Sequence, residues 1–290
     1  MSQRVEFPPV HVIGASGRSG AALCRSLSAE RVGFVPVARD AAKWSALGLG
    51  ASPRVADIDD AAALRVALRG AHRIVCCAHA SFAGAILAAS PPDARFVFLG
   101  STRKFTRWPD AHGTGVTAGE SAFLASGRSG VMLHPTMIYG AAGEDNVQRL
   151  AALLRRLPIV PLPGGGRSLV QPIHQDDVVR SIRAALDRDW LGPKSMVIAG
   201  PDAMPYAEFV CAVAMAAGLP RPRILSFPGR LLVALAPLSL WIRRLPKIRP
   251  EEVRRLLEDK AFDITEMREV LGIEPISLRE GLARTFTAPG

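Results

Sequence analysis

The sequence predicts an α/β fold, a doubly wound parallel sheet with a smaller, mostly helical C-terminal lobe. Two observations predict it. Short β-prone runs alternate with helical patterns as far as residue 200, and a glycine-rich loop joins the first strand to the first helix. This alternation implies right-handed crossovers and a sheet covered by helices on both faces. A chain of 290 residues with 49% hydrophobic side chains suits one large α/β domain or a nucleotide domain with a smaller partner.

The elements follow in order from the hydrophobic pattern. Val10–Ile13 is the first predicted strand, and Arg18–Ala29 is the first helix. Pro36 weakens the second strand, because proline cannot donate to a ladder. Asp59 is the expected cap of the second helix. The remaining predicted strands are 34–38, 73–78, 96–99, 131–133 with 136–138, and 195–198, and the helices are 60–68, 82–89, 118–126 and 176–186.

Beyond Pro201 the alternation fades. Helical stretches at 206–217, 230–245 and 251–257 are separated by joints rich in proline and glycine, so this tail is expected to form the smaller lobe. The predicted organisation is a nucleotide-binding core at 1–140, an excursion into the lobe at 141–168, a return to the core at 169–200, and the lobe itself at 201–290.

The charge balance gives a formal net charge of +10. A basic surface attracts phosphates, nucleic acid or anionic membranes without choosing among them. The sequence contains no zinc finger and no RNA-binding signature, so nucleic acid is not an expected partner. None of the four cysteines forms a C-x-x-C pair, a pattern that suits a reducing cytoplasm, and we expect a cytoplasmic protein.

The loop after the first strand reads G-x-x-G-x-x-G and opens a helix. Such glycines let the backbone turn tightly, let a pyrophosphate approach and let the helix pack against the strand, while the helix start offers free N–H groups. A tight structural turn is the alternative. We predict that this loop binds NAD or NADP through Gly14, Ser16, Gly17, Arg18, Ser19 and Gly20.

The end of the second strand bears on the choice between the two dinucleotides. NAD-preferring proteins place an acid there that binds the ribose hydroxyl, whereas an arginine accommodates a 2′-phosphate. This chain has Arg39 at that point and Arg18 in the loop, with Asp40 one residue later. NADP is therefore the expected cofactor and NAD the less favoured one, unless Arg39 is only a solvated charge.

Further segments combine with the glycine loop into a recognisable set. They are Ala56-Asp57-Ile58 followed by Leu64 and Gly70, Cys77-Ala78-His79, Leu99-Gly100-Ser101-Thr102, HPTMIYG at 134–140, QPIHQDDV at 171–178, and a C-terminal series of Asp263-Ile264, Leu271-Gly272, Pro275 and Glu280-Gly281-Leu282. Together they resemble the short-chain dehydrogenase/reductase superfamily. The likeness is greatest to its atypical and extended members, the NAD-dependent epimerase/dehydratase group and the relatives of the NDUFA-type complex I subunit.

The resemblance covers almost the whole chain and implies a Rossmann core and a substrate lobe. It implies that Asp57 and Ile58 approach the adenine and that Ala78 and His79 pass the cofactor ribose. It also implies that Pro135, Thr136 and Ile138 lie beside the nicotinamide, while Ser101 or Thr102 supplies a hydroxyl to the active site. The implied function is hydride transfer on a hydroxyl or carbonyl carbon of a small molecule, as an oxidoreductase or a sugar-type epimerase.

One part of the family pattern is missing. Active members carry Tyr-x-x-x-Lys, commonly with a glutamate four residues after the lysine. Glu120 fits that glutamate, which puts Val116 at the lysine position and His112 at the tyrosine position. By itself, Glu120 is expected to be a surface helix residue.

Three interpretations of the missing pair stay open. His112 takes over proton transfer, which its near-neutral pKa permits. In the second, Ser101, Thr102 and Lys104 form a different catalytic constellation. In the third, the protein binds NADPH as a structural or redox-sensing protein and performs little chemistry.

Two other clusters have competing interpretations. His174, Asp176 and Asp177 are expected to be a helix start capped by aspartate, so no metal is predicted. The glycines of Gly164–Gly166 either cradle a substrate phosphate or connect the lobe.

The apolar stretch with a basic flank from Leu231 to Arg244 is expected to be a lid helix. The alternative is peripheral membrane contact, which would suit a hydrophobic or lipid-linked sugar substrate. The expected assembly is a monomer or a homodimer.

Overall fold

The structure, a computed structural model, describes residues 8–140, 146–157, 159–229, 231 and 250–287. The strands are β1 Val10–Ile13, β2 Phe34–Ala38, β3 Arg54–Val55, β4 Arg73–Cys76, β5 Arg95–Leu99, β6 Gly130–Pro135, β7 Ile138–Tyr139, β8 Ile159–Pro163, β9 Leu169–Val170, β10 Ile173–His174, β11 Pro193–Ile198, β12 Met204–Pro205 and β13 Arg223–Phe227. The helices are α1 Arg18–Ala29, α2 Ala41–Ser45, α3 Ala61–Ala67, α4 Ala83–Ala89, α5 Ala111–Ala125, α6 Asn146–Leu154, α7 Gln175–Leu186, α8 Tyr206–Ala216, α9 Pro250–Arg255, α10 Thr265–Leu271 and α11 Leu278–Thr287.

Seven strands form one parallel sheet in the order β11-β6-β5-β4-β1-β2-β3. The chain winds outward from β1 to β3 and then returns to build the other half from β4. This confirms the predicted α/β fold class. The order reverses between β1 and β4, and ligands of such sheets bind outside the carboxyl ends of the strands at that point.

Each face of the sheet has its own hydrophobic core. Val12 packs on the face that α1 and α7 cover, with Leu23 and Val178. Ile13 points to the opposite face and packs with Leu64 and Phe123 from α3 and α5. This alternation along one short strand buries both of its faces, as a central parallel strand requires.

Pro36 lies inside β2 without disturbing the ladder. The carbonyl of Val37 accepts the N–H groups of Gly14 and Ala15, so Val37 faces β1. Pro36 therefore faces the other way, towards β3, whose pairing with β2 begins only opposite Val37. No strand pairs with that side of β2 at Pro36, so the missing N–H of proline costs no hydrogen bond of the sheet.

The helix predicted at 118–126 is wrong at its start, because α5 begins at Ala111. Asp110 caps it by accepting a hydrogen bond from the N–H of Gly113. The glycines at 113, 115 and 119 obscure its helical pattern in the sequence, and they allow close packing. A side chain on Gly119 would overlap the carbonyl oxygen of Ala80, and one on Gly113 would lie 2.8 Å from that of Arg103.

Two predicted caps are also wrong. Asp60, rather than Asp59, caps α3 by accepting from the N–H groups of Ala62 and Ala63. At α7 the cap is the ring of His174, which accepts from the N–H of Asp176, and not an aspartate side chain. Asp177 instead accepts from Arg180 and from the N–H of Ile276, so it ties α7 to the C-terminal segment.

The remaining boundaries differ by a few residues. The predicted strand at 73–78 ends at Cys76, and the helix at 82–89 begins at Ala83 after a 3-10 turn over Ala80–Phe82. The helix predicted at 251–257 is α9, and most of the one predicted at 230–245 lies outside the described residues. The sequence pattern missed the helices α2, α6, α10 and α11 and the strands β3, β8, β9, β10, β12 and β13, most of which are short.

Outside the main sheet, α6, α8 and α11 pack together around Val147, Phe209 and Leu282. A second cluster joins α6, α8 and β8 through Leu154, Val160 and Val210. The domain limits given above stay a prediction. In the part of the chain that the structure describes, no helix has both the length and the apolar character needed to cross a bilayer.

The buried His11 makes the stability of the folded chain depend on pH. It is 2% exposed on β1, and burial, with Arg54 next, lowers its pKa to about 4 from the ordinary 6.5. The folded chain keeps this ring neutral while the unfolded chain takes up a proton between pH 6.5 and 4. Stability is therefore lost as the pH falls through this window, by on the order of 3 kcal/mol for one such group.

We predict that His11→Leu reduces the loss of stability between pH 7 and pH 4.5, as measured by urea unfolding at each pH. The exposed His72, which pairs with Asp93 at 2.7 Å and is the smallest of the causes that lower the His11 pKa, provides the control. His72→Gln should leave the pH dependence close to that of the parent chain. An equal acid sensitivity in His11→Leu and the parent would contradict the assignment.

Candidate active site

The glycine loop lies between β1 and α1, at the carboxyl edge of the sheet. Gly14 has a φ of +74°, and a side chain there would lie 3.0 Å from the backbone nitrogen of Ala78. A side chain on Gly20 would overlap the carbonyl oxygen of Gly14. Glycine is therefore required at both positions, once for the turn and its approach to the end of β4, and once for the packing of α1 on the loop.

The start of α1 is open to an anion. Gly17 is its N-cap, and no side chain among the described residues caps it. The first N–H groups of a helix have no partner inside the helix, and the helix dipole places positive charge there. Arg18 and Ser19 occupy the first turn, so the loop presents backbone N–H groups, a cation and a hydroxyl together.

Arg39 and Asp40, the two residues that follow β2, have different surroundings. Arg39 is exposed, directly after the strand. The Asp40 carboxylate accepts from the N–H of Lys43 at 3.0 Å and caps α2. The acid that made the choice of cofactor ambiguous therefore has a structural partner, while the nearby cations are Arg39 and Lys43.

The sheet register brings the other predicted residues to the same edge. Cys76 pairs with Phe98, and Leu99 pairs with Leu133, so β4, β5 and β6 end side by side. Ala78 and His79 lie just after β4, Ser101 and Thr102 lie after β5, and Pro135 and Thr136 lie at the end of β6. Ile138 begins β7, which pairs with β10. Asp57 and Ile58 lie between β3 and α3, where the Asp57 carboxylate accepts from the N–H of Asp59.

The two hydroxyls after β5 already have local partners. Ser101 Oγ accepts from the N–H of Arg103 at 3.2 Å, and Thr102 Oγ1 donates to the carbonyl of Pro135 at 3.2 Å. Each keeps a further lone pair or proton for a ligand. Thr136 differs, because its hydroxyl is buried and has no partner among the residues described.

Glu120 is the centre of a polar cluster beneath this edge. Its carboxylate oxygens lie 2.5 and 2.6 Å from Lys104 Nζ, and Oε1 lies 3.1 Å from His134 Nε2. Ser195 Oγ, from the edge strand β11, donates to the same oxygen. The N–H of Ser101 donates to His134 Nδ1 at 3.1 Å, which links the cluster to the loop after β5.

This cluster contradicts the expectation that Glu120 is a surface residue. The side chains of Glu120 and Lys104 are 13% and 14% exposed. Burial raises the pKa of Glu120, but the hydrogen bonds from Lys104 and Ser195 outweigh it and hold that pKa below its ordinary value. The Lys104 ammonium is thus committed to Glu120, which disfavours Lys104 as a catalytic cation.

His134 is uncharged in this cluster. Burial, followed by the charge of Lys104, lowers its pKa to about 4. A side chain on Gly100 would overlap its ring, so the glycine before Ser101 is what allows the histidine to reach Glu120. Sequence reasoning missed His134 and Ser195 as members of a cluster, because β11 meets β6 only through the fold.

His112 is oriented by a second histidine. It lies in the first turn of α5, and its Nδ1 is 3.2 Å from His79 Nε2, with the rings edge to face. His79 Nδ1 accepts from the N–H of Ser81 and lies 2.8 Å from Ser81 Oγ. This assigns the proton of His79 to Nε2, where it donates to His112 Nδ1 and leaves the His112 proton on Nε2.

The charge state of His112 follows from its surroundings. Burial, then His79 and Arg103, lowers its pKa below the ordinary value, so the ring is neutral at pH 7. Gly115 makes room for the histidine pair, since a side chain there would lie 2.8 Å from His79. Val116, at the lysine position of the family pattern, is buried in the core of the sheet.

A separate cavity of about 920 Å³ lies at the opposite, amino edge of the sheet, between the starts of β4 and β5 and the end of α7. Its charged groups pair with one another, Arg73 with Asp187 at 3.1 Å and Arg95 with Asp189. Open α/β sheets bind ligands at their carboxyl ends. We therefore place the candidate site at the carboxyl edge, on the glycine loop, the histidine pair and the strand ends.

No protein-family model matches the sequence, and no curated protein is significantly similar to it. Solved structures do match. The NADPH-dependent quinone oxidoreductase of Escherichia coli in complex with NADPH has a TM-score of 0.73 at 18% identity, with 96% of this chain and 99% of that one covered.

Two other matches are sugar-nucleotide proteins, each covering 97% of this chain and 98% of the other. MoeE5 in complex with UDP-glucose and NAD has a TM-score of 0.71 at 20% identity. The UDP-glucose 4-epimerase of Thermotoga maritima with UDP-glucose has a TM-score of 0.72 at 16% identity.

The chain shares the fold of these structures and that of a short-chain dehydrogenase/reductase superfamily protein of Agrobacterium tumefaciens with bound NAD, which has a TM-score of 0.70 at 17% identity. Coverage of nearly the full length on both sides means that the match extends beyond the main sheet. The resemblance in fold stated from the sequence motifs is confirmed.

The Glu120 cluster generates a stability prediction. Glu120→Gln removes the charge that compensates the buried Lys104 ammonium, and breaking such a pair costs about 3–5 kcal/mol. Glu30→Gln is the control, because Glu30 pairs with Arg183 at 2.7 Å but is 58% exposed, and exposed pairs contribute about 0–1 kcal/mol. Urea unfolding at pH 7.5 measures both. Equal losses in the two variants would contradict the central place of Glu120.

Proposed function

We propose that this chain binds a nicotinamide dinucleotide, NADP in preference to NAD, along the carboxyl edge of its sheet. We further propose that it reduces or oxidises a small-molecule substrate by hydride transfer. The glycine loop carries the proposal, because its backbone approaches Ala78 at a distance that excludes side chains and leaves the start of α1 uncapped. The named complexes of the matching structures with NAD and NADPH support it.

In this proposal the pyrophosphate lies on the first turn of α1, against Gly14, Ser16, Gly17, Arg18, Ser19 and Gly20. The adenine lies near Asp57 and Ile58, and the ribose passes Ala78 and His79. The nicotinamide lies beside Pro135, Thr136 and Ile138. The buried Thr136 hydroxyl supports this placement, because the carboxamide of a nicotinamide would give it the hydrogen-bond partner it lacks among the described residues.

The preference for NADP rests on charge at the end of β2. Arg39 is exposed there, and Arg18 begins α1. Asp40, the residue that would favour a ribose hydroxyl, is bound to the N–H of Lys43. A guanidinium binds phosphate oxygens in a bidentate geometry, which suits a 2′-phosphate.

For the chemistry, we assign proton transfer to the histidine pair. The bound cofactor would supply the hydride. In the reductive direction His112 Nε2–H donates to the substrate oxygen, and a neutral imidazole is suited to polarising a carbonyl in this way. His79 Nε2 passes its proton to His112 Nδ1, and Ser81 Oγ, 2.8 Å from His79 Nδ1, returns one from solvent. One hydride and one proton then convert the carbonyl to an alcohol.

A second candidate function is a cofactor-binding protein without turnover, in a structural or redox-sensing role. Two observations favour it. The lysine position of the family pattern holds the buried Val116, and the nearby Lys104 is bound to Glu120. Neither residue is placed to hold the nicotinamide ribose or to lower the pKa of a proton donor.

The partner and location remain proposals of the same kind. A small molecule, sugar-linked or hydrophobic, is the proposed substrate, and the UDP-sugars named with two matching structures support that class. Membrane contact through residues 231–244 concerns a segment that lies outside the described residues except for the exposed Leu231. A cytoplasmic location and a monomer or homodimer stay predictions.

Titration of the purified protein with NADPH and with NADH tests the binding proposal. We expect tighter binding of NADPH, and Arg39→Asp should reduce this preference by about ten- to a hundredfold, the value of a charge-assisted hydrogen bond. Arg95→Ala, at the amino edge of the sheet, is the control and should leave both affinities unchanged. The absence of binding below millimolar concentration for both nucleotides would refute the proposal.

Turnover assays test the chemistry. NADPH oxidation is followed with panels of quinones, aldehydes and UDP-sugars, and the best acceptor is kept. His112→Ala should lower kcat by about 10²–10⁴-fold, the usual value of a positioned proton donor, while the Kd for NADPH stays the same. His79→Phe should lower kcat in the same direction because it leaves His112 without its partner. Unchanged kcat in His112→Ala would remove the pair from the mechanism, and no turnover with any acceptor would favour the second candidate.

A further inference from the structure

Gln175 is a buried glutamine at the edge of the candidate site, and the proposed function gives it no role. It is the first residue of α7 and is 3% exposed. Its Oε1 accepts a hydrogen bond from Ser19 Oγ at 3.3 Å, in the first turn of α1. Its Nε2 has no hydrogen-bond partner within the ranges that the structure describes.

The fold explains why these two helix starts meet. The helices α1 and α7 lie side by side on one face of the sheet, where Leu27 and Ile182 share a core. At their far ends, Arg183 binds Glu30 at 2.7 Å. Both helices therefore begin at the carboxyl edge, and Ser19 with Gln175 forms the contact at that end.

A second glutamine shows what a purely structural role looks like in this protein. Gln171, four residues earlier and 4% exposed, donates its amide to the carbonyl of Gly200 at 2.8 Å and accepts from the N–H of Phe262 at 2.7 Å. Every polar atom of that side chain has a partner. A buried donor without a partner costs free energy, so the amide of Gln175 calls for an acceptor that the described residues do not supply.

The surroundings determine the charge of that acceptor. The start of α1 offers N–H groups and the positive end of a helix dipole. The acids of the first turn of α7 are engaged elsewhere, Asp176 with Arg284 at 3.0 Å and Asp177 with Arg180 at 2.7 Å. An anionic oxygen next to Ser19 is thus favoured by the positive end of the α1 dipole.

We propose that Gln175 is a cofactor-binding residue whose amide Nε2 donates to a pyrophosphate oxygen of the bound dinucleotide. Ser19 fixes the orientation of the amide, because its hydroxyl donates to Oε1 and so turns Nε2 away from itself. The proposal rests on the proposed function and adds to it a second helix, α7, that contributes a side chain to the pyrophosphate site. The ligand chemistry is a diphosphate diester.

Two ligands separate the pyrophosphate from the nicotinamide. Isothermal titration is carried out with NADPH and with 2′-phospho-ADP-ribose, which has the same diphosphate and no nicotinamide. Gln175→Leu should raise the Kd of both ligands by about tenfold. Gln175→Glu should weaken both further, because a carboxylate would face the phosphate. Gln171→Leu is the matched control, which should lower the unfolding midpoint and leave both affinities unchanged.

The outcomes distinguish a failure of the Gln175 proposal from a failure of the proposed cofactor binding. Binding by the Gln175 variants that equals the parent overturns this inference and leaves the proposed function standing. A loss confined to NADPH also overturns it, because the amide would then bind the nicotinamide half. If the parent chain binds neither ligand, both proposals fail. Thermal unfolding of each variant confirms a folded state, and Gln175→Met replaces Gln175→Leu if the leucine variant does not fold.

Discussion

The parallel register of the seven strands is the constraint on which the rest of this structure depends. Because Val10 pairs with both Phe34 and Arg73, β1 lies between the two halves of the sheet, and every strand ends at the same edge. The glycine loop, the histidine pair and the hydroxyls after β5 come from widely separated parts of the sequence. They meet only because their strands share one direction. At the other edge, within the described part of the chain, Arg73 pairs with Asp187 and Arg95 with Asp189.

Beneath that edge, the Glu120 cluster is a structural support that is distinct from the histidine pair. Glu120, Lys104, His134 and Ser195 form one buried cluster that ties α5 to β6, β11 and the loop after β5. Its charges are compensated internally, so it fixes the start of α5, where His112 lies, without offering a reactive group. His112, by contrast, is exposed at the surface of the site, next to His79. In this arrangement a buried ion pair holds the scaffold, and the histidine pair is the group to which we propose to assign proton transfer.

The first elements could be predicted to the residue, and the site could be predicted only in part. The bounds of β1, α1 and β2 follow from hydrophobic periodicity and one glycine-rich turn, which are local signals. The start of α5 could not be found in the same way, because its glycines serve contacts with Ala80 and Arg103 that no local pattern reveals. The partners of Glu120 and of His112 depend on which strands are neighbours. Gln175 was visible only as one letter of a motif until its amide was found without a partner among the described residues.

The central claim is that the uncapped start of α1 holds the pyrophosphate of a nicotinamide dinucleotide. The most direct measurement is a crystal structure of the chain grown with NADPH. The account predicts pyrophosphate oxygens within hydrogen-bond distance of the backbone N–H groups of Arg18 and Ser19, with the 2′-phosphate near Arg39. A nucleotide bound in the cavity at the amino edge, between Arg73 and Arg95, with the glycine loop unoccupied, would contradict it.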